Sequence, residues 1–308
     1  MVSLIILTLT PVAFVVALGW LAGKLKLLDA SHNGFLAAFV VQFTLPAELF
    51  IGAARASPAQ IENWTFLIGL ALGLVIIYLL GLFLAIAVFH HNLSKGALQA
   101  MSISFPNMAA MGIPVLGGVI GPSSLLSVLI GNLVSSLIVV PVTLTLLDAD
   151  RGGERSGRVL WQSLLKAIQQ PLVWAPIGGL ALALVGVHIP DIIGRSLQLI
   201  GDVTPGVSLF SLGLLLSAQT LRLNGEVFGN VLMKTVAQPA LMALLVLLLA
   251  VHGVGGREMV ILGALPTATI SAMLALRYNA YTAESSATVL LSTIVSVPIL
   301  AGVIALVN

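Results

Sequence analysis

Long apolar runs alternate with short polar connections along this 308-residue chain. The runs cover about 3–23, 34–53, 64–89, 96–119, 123–147, 167–187, 195–218, 230–252, 258–279 and 284–306. Each approaches the roughly 20 apolar residues that a helix needs to cross a bilayer. None alternates polar and apolar positions over about 10 residues, as the strands of a membrane barrel would. The pattern predicts an all-α polytopic membrane protein with ten transmembrane helices. Only 148–166 is polar for long enough to be a loop of any size, and no soluble domain fits between the runs.

The first half of the chain aligns with the second at an offset of about 160 residues: Pro11 falls on Pro171, Thr44 on Thr204, Pro46 beside Pro205, and Pro106 on Pro266. The expected organisation is a five-helix repeat over 1–147, a cytoplasmic linker over 148–166 and a second five-helix repeat over 167–308. Five is odd, so the second copy enters the membrane the other way up. Inverted repeats are a common construction of secondary transporters, with substrate bound near the midplane where the repeats meet.

Composition excludes the other classes. The chain is 59% hydrophobic and 8% charged, whereas soluble domains carry about 25% charged residues. It has no cysteine, which removes disulfides, thiol nucleophiles and thiolate metal sites. The net charge of +2 does not point to nucleic acid, because the basic residues are sorted by side of the membrane. With ten spans, Arg55, Arg195 and Arg257 share a face with the termini. Lys24, Lys26, Lys95, Arg151, Arg155, Arg158, Lys166, Arg222, Lys234 and Arg277 lie on the other. An excess of Lys and Arg marks the cytoplasmic side, so both termini are expected outside the cytoplasm, in the cell (inner) membrane. Met1-Val2-Ser3 carries no positive charge, and Lys24 and Lys26 follow the apolar run. That order suits a retained helix better than a cleaved signal peptide.

Two spans carry breaks at matching places. The fourth reads Ser104-Phe105-Pro106-Asn107-Met108-Ala109-Ala110-Met111-Gly112-Ile113-Pro114. Each proline removes a backbone donor and clashes with the preceding turn, and in hydrocarbon the freed groups need protein or a wet cavity to satisfy them. The ninth reads Leu265-Pro266-Thr267-Ala268-Thr269-Ile270-Ser271, and on the offset Thr267 matches Asn107. Pro106, Pro114 and Pro266 are therefore the expected helix breaks. Because the repeats are inverted, the half-helices after the breaks point their N-termini at one another, and free N–H groups and positive dipole ends favour an anion. A carboxylate substrate is expected, with Asn107, Gly112, Ile113, Pro114, Pro266, Thr267 and Thr269 around it. Ser271 is a lower-ranked candidate, since hydroxyls also bond back to their own helix.

Charged groups inside spans are expensive and are functional candidates by default. Asp202, in Gly201-Asp202-Val203-Thr204-Pro205, matches Gln42 on the offset. With Thr204, these residues make either a proton or sodium coupling site or a hydrogen bond steadying two helices. Glu48 stands two turns before Arg55, a spacing that lets the two pair at the outer surface. Arg277 is an interfacial anchor or part of a cytoplasmic substrate path. Asn132 is a further site candidate, and Ser292, its counterpart, ranks lower; small and polar stripes also serve close helix packing. His90, His91, His188 and His252 fall at span ends, where they face water. No metal-ligand spacing occurs.

With these residues in view, the chain resembles the auxin efflux carrier family, particularly its bacterial members. The match rests on Leu45-Pro46, Asn107-(x)4-Gly112-Ile113-Pro114, Thr204-Pro205 followed by Leu212-Gly213, and Ala275-x-Arg277-Tyr278 with Leu291-Ser292-Thr293. It spans essentially the whole chain, although Pro106 stands where bacterial members usually carry Gly or Ala. The resemblance implies ten helices with both termini outside. It further implies a dimeric scaffold of helices 1, 2, 6 and 7 and a moving domain of helices 3–5 and 8–10. Helices 4 and 9 would cross at their breaks, with Asn107 touching the carboxylate of a small acid such as malonate or malate. The expected function is an alternating-access carrier of elevator type, with membrane lipid as its surroundings, a homodimeric assembly and no cofactor. A sodium-coupled symporter like the bile-acid transporters is the alternative. An intramembrane enzyme fits poorly, because Gly201-Asp202 lacks the earlier glycine of the Gly-x-Gly-Asp protease signature and has no second intramembrane aspartate as partner.

Overall fold

Proline sets where the helices of this chain become irregular. The computed structural model describes residues 2–29, 32–55, 63–150, 171–187, 189–218 and 224–307, together with 161, 165 and 169. In chain order the helices are α1 (Val2–Lys24), α2 (Asn33–Phe39), α3 (Leu45–Ala54) and α4 (Trp64–Ala87). They continue with α5 (Leu93–Ser104), α6 (Ile113–Val119), α7 (Leu125–Val134) and α8 (Val140–Asp150). The second half holds α9 (Pro171–Val185), α10 (Asp191–Gly201), α11 (Thr204–Ser217) and α12 (Gly225–Leu232). The last are α13 (Gln238–Leu248), α14 (Val254–Ala264), α15 (Thr269–Arg277) and α16 (Thr282–Val307). No strand occurs among the described residues.

Four wide π turns, Val40–Thr44, Met108–Gly112, Ser135–Val139 and Met233–Ala237, lead into α3, α6, α8 and α13. Each is followed two residues later by a proline: Pro46, Pro114, Pro141 and Pro239. Proline has no N–H for the carbonyl four residues back. The chain widens instead, so that the residue just before the proline donates five back: Leu45 to Val40, Val140 to Ser135, and Gln238 to Met233. The proline then opens the next helix, where a missing N–H costs little.

Among the described residues, five helices are long and apolar enough to cross a membrane: Trp64–Ala87, Leu125–Leu147, Asp191–Ser217, Gly225–Leu248 and Thr282–Val307. Several helices start before the apolar runs do, since α10 begins at 191 rather than 195, α12 at 225 rather than 230, and α14 at 254 rather than 258. The polar first turn of α12 is held by a cap, which hydropathy does not register: the Asn224 side chain accepts from the Val227 N–H at 2.8 Å. Apart from 148–150, 161 and 165, the expected linker 148–166 lies outside the described residues.

Contacts group the chain into two compact units, each drawing on both halves of the sequence. The first comprises Met1–Trp64, Met108–Ile130 and Gln169–Gln219. Its helices approach through glycine, as helices in lipid commonly do. A Cβ on Gly19 of α1 would lie 2.1 Å from the Phe210 carbonyl oxygen of α11, and one on Gly213 of α11 would lie 2.0 Å from that of Val16. In the other pair, a Cβ on Gly179 of α9 would lie 2.3 Å from the Phe50 carbonyl oxygen of α3. Gly19 and Gly179 are 160 residues apart, as are Phe50 and Phe210. One contact is thus made twice with its partners exchanged between the halves.

The second unit comprises Thr65–Asn107, Gly131–Ile168 and Thr220–Asn308. Its core includes Tyr78, Leu98, Met101, Phe105, Val139 and Leu147, with a polar chain running through it. Gln99 Nε2 donates to Asn230 Oδ1 at 2.9 Å, and Asn230 Nδ2 donates to Tyr281 Oη at 2.8 Å. Tyr281 in turn donates to Glu226 Oε1 at 2.6 Å. Burial, and then the bond to Glu226, push the Tyr281 phenol well above its ordinary range. His91 Nε2 lies 2.6 Å from the same Glu226 oxygen. His91 therefore closes a polar network, whereas the sequence pattern had it facing only water.

Candidate functional site

The second unit holds the two expected breaks side by side. Helix α5 ends at Ser104 because Pro106 cannot donate to the Ser102 carbonyl and disfavours helical geometry at Phe105. Phe105 is accordingly extended, with φ −87° and ψ 105°. Pro266 ends α14 in the same way, and Leu265 has φ −61° and ψ 148°. The two extended segments cross as an antiparallel bridge between Pro106 and Thr267. The Asn107 N–H donates to the Pro266 carbonyl at 2.8 Å, and the Ala268 N–H to the Phe105 carbonyl at 2.9 Å.

Side chains then satisfy the groups that the prolines strand. Thr267 Oγ1 donates to the Ser102 carbonyl at 2.7 Å, the acceptor that residue 106 would have served had it not been proline. The Thr267 N–H donates to Ser292 Oγ at 3.0 Å, and Gln238 Nε2 donates to the Ser104 carbonyl at 3.0 Å. Pro106, Asn107, Pro266, Thr267 and Ser292 are all buried. Thr267 and Ser292, expected as substrate contacts, are employed in building the crossing. The Asn107 amide side chain is buried beside it, on a backbone whose N–H bonds the Pro266 carbonyl. Helix α15 starts at Thr269, half-buried and two residues past Thr267, while Ser271 bonds back to the Ala268 carbonyl at 2.8 Å.

The remaining candidates are spread over both units. Gly112 closes a wide turn in the first unit, and Ile113 and Pro114 open α6. Pro114 therefore starts a helix rather than breaking one, and the true interruption is confined to Phe105–Asn107. In the second unit Asn132 and Ser135 are buried three residues apart, and Asn132 Nδ2 and Ser135 Oγ make no hydrogen bond among the described residues. Buried polar atoms of that kind are uncommon in native proteins. Arg277 is exposed in the last turn of α15, where a cation suits the negative helix end.

Asp202, expected inside a span, falls where the helix is interrupted. It is exposed at the turn between α10 and α11, and Gln42 is exposed in the wide turn between α2 and α3. The repeat-equivalent pair thus marks two interruptions at matching points. Glu48 lies beside Thr204 and Asp202. With Asp202, Arg55, Gln198 and Ser123 it lines a cavity of about 370 Å3 in the first unit. The expected Glu48–Arg55 pair does not form, because Arg55 Nη2 donates to Gln198 Oε1 at 3.3 Å instead. Gly201 makes room for Glu48, since a Cβ there would fall 3.1 Å from the Glu48 Cα. A larger cavity of about 640 Å3 shares Arg55 and Gln198 and adds Asp191 and Arg195.

Sequence reasoning missed Lys234. Counted among cytoplasmic surface residues, it is fully buried in the wide turn between α12 and α13. Its removal changes the expected distribution of basic residues from ten against three to nine against three. The available signal was a lysine and a glutamine, Lys234 and Gln238, one helical turn apart inside an apolar run. Among the described residues, no group of three or more His, Asp or Glu is placed to hold a metal ion.

Comparison with known proteins supplies the context. The sequence model of a family described as membrane transport protein matches residues 4–304. An uncharacterized transporter of Escherichia coli (strain K12), YfdV, is 27% identical over 96% of this chain and 95% of its own length. A putative malonate transporter of Rhizobium meliloti (strain 1021) is 23% identical over 94% and 92%. Auxin efflux carrier component 4 of Arabidopsis thaliana is 26% identical over 46% of this chain and 24% of its own length.

Proposed function

Since the chain belongs to the membrane transport protein family that includes the auxin efflux carriers, we propose that it carries small organic anions across the membrane by alternating access. The observation that carries this reading is the crossing of two broken helices, with Asn107 buried beside it. Broken helices in transporters present N-terminal backbone and dipole to substrate carboxylates. A carboxylate accepts from the Asn107 amide and from the N-terminal turn of α15, with the Thr269 hydroxyl at hand. The relatives named for malonate and auxin are consistent with an acid as cargo.

Ten spans in two inverted repeats make up the membrane domain, with both termini outside. The contact that Gly19 and Phe210 share with Gly179 and Phe50 supports this reading, because exchange of partners is what a two-fold relation produces. Helices 1, 2, 6 and 7 serve as a dimeric scaffold, and helices 3–5 and 8–10 as the domain that moves. A thermal-shift screen of the purified protein against small mono- and dicarboxylates tests the cargo class. A ligand that binds only the native state raises the unfolding midpoint by mass action. A response to carboxylates is expected, and a response confined to cationic or neutral compounds would overturn the proposal.

Asp202, which lines the smaller cavity with Glu48 and Arg55, is the candidate coupling residue. In proteoliposomes, Asp202→Asn is expected to make uptake indifferent to an imposed proton gradient while substrate still binds. An unaltered pH dependence would exclude Asp202 from coupling.

A further inference from the structure

A lysine buried completely inside a membrane protein requires a reason. The alkyl stem could pack anywhere, but the ammonium carries three donors and a charge that apolar surroundings penalise. Both oxygens that Lys234 Nζ reaches are carbonyls: Gln238 Oε1 at 2.5 Å and the Gly263 backbone at 3.5 Å. Gln238, through its Nε2, holds the Ser104 carbonyl at 3.0 Å.

Gly263 and Ser104 occupy corresponding places. Each lies in the last turn of the half-helix that precedes a break, in α14 and α5 respectively. Their carbonyls have lost their usual donors. The amide four residues beyond Gly263 is that of Thr267, which goes to Ser292, and the one beyond Ser104 lies past the break. Helix C-termini gather such orphan carbonyls together with the negative end of the dipole. In transporters with broken helices, these ends and the unwound carbonyls coordinate the mobile coupling cation.

We propose that the Lys234 ammonium is a tethered cation that, directly and through Gln238, neutralises the C-terminal ends of α5 and α14 in the place a mobile cation would take. The charge is covalently part of α12–α13, so the two half-helix ends are held together without an ion from solution. The arrangement argues against the sodium-coupled alternative. It rests on the helix ends and not on the identity of the cargo, so failure of the carboxylate screen leaves it standing, and its own failure leaves the screen unaffected.

Thermal unfolding of the purified protein and its variants provides the test. Lys234→Met fills a similar volume without donors, leaving Gln238 Oε1 and the Gly263 carbonyl unserved, and a midpoint lowered by several degrees is expected. Lys234→Ala should fall further and recover when methylammonium chloride, the fragment removed, is added, with choline chloride as the control for ionic strength. Wild type should respond equally to sodium and choline. A Lys234→Met midpoint equal to wild type would overturn the proposal. So would a folded Lys234→Ala that methylammonium helps no more than choline does. If Lys234→Ala does not fold, wild type decides: saturable stabilisation by sodium would show that the helix ends still need a mobile cation.

Discussion

Asn107→Ala is expected to cut sharply the rise in unfolding midpoint that a bound carboxylate produces, while leaving the bridge between the broken helices in place. The asymmetry follows from how the crossing is built. The Asn107 N–H bonds the Pro266 carbonyl, and alanine keeps that bond and the bridge around it. The amide side chain is what alanine removes. Hydrogen bonds to charged groups contribute about 1.5–3 kcal/mol, and 1.4 kcal/mol is a factor of ten in affinity, so binding should weaken by about tenfold or more. Titration of the midpoint against ligand concentration reads this directly. If the variant answers the same carboxylate at the same concentration, Asn107 does not touch the substrate. A collapse of the ligand-free midpoint would instead mean that the side chain belongs to the frame.

Gly213→Val should cause the largest loss of stability among single changes to the first unit. A Cβ there would stand 2.0 Å from the Val16 carbonyl oxygen and 2.8 Å from the Trp20 amide nitrogen. Both are backbone atoms of α1 and cannot rotate away, so the helices must separate. Overpacking costs about 1–3 kcal/mol and occasionally more. Valine at a backbone contact this close belongs at or beyond the top of that range, against a total stability of about 5–15 kcal/mol. Gly206 of the same helix offers the control, because a Cβ there meets nothing within 4 Å. Gly206→Val should behave as wild type in size-exclusion profile and midpoint, whereas Gly213→Val should elute as aggregate or unfold many degrees earlier. Equal behaviour of the two variants would show that glycine packing does not hold α1 to α11.

Apolar helices and the breaks at Pro106 and Pro266 were legible in the sequence, because hydropathy and the missing proline N–H act locally. Pro106 and Pro266 end α5 and α14 wherever the rest of the chain goes. The same locality explains the errors. The capped polar first turn after Asn224 falls outside hydropathy windows, and Pro114 reads as a break in sequence although the preceding wide turn absorbs it. The spacing between Glu48 and Arg55 suits a pair, yet Gln198 of α10, well over a hundred residues away, takes the arginine.

By itself, the sequence determined that this chain is a helical membrane protein and that two of its helices must break at Pro106 and Pro266. Each of those conclusions depends on interactions spanning a few residues. Only the tertiary structure decided what meets at the breaks: that Thr267 serves the carbonyl stranded by Pro106, that Ser292 serves Thr267, and that Lys234 lies beneath the helix ends instead of at the surface. The physical reason is that a stranded backbone group in a dry interior must find a partner. The partners are set by which helices lie alongside, and here they stand as far as 165 residues away in the chain.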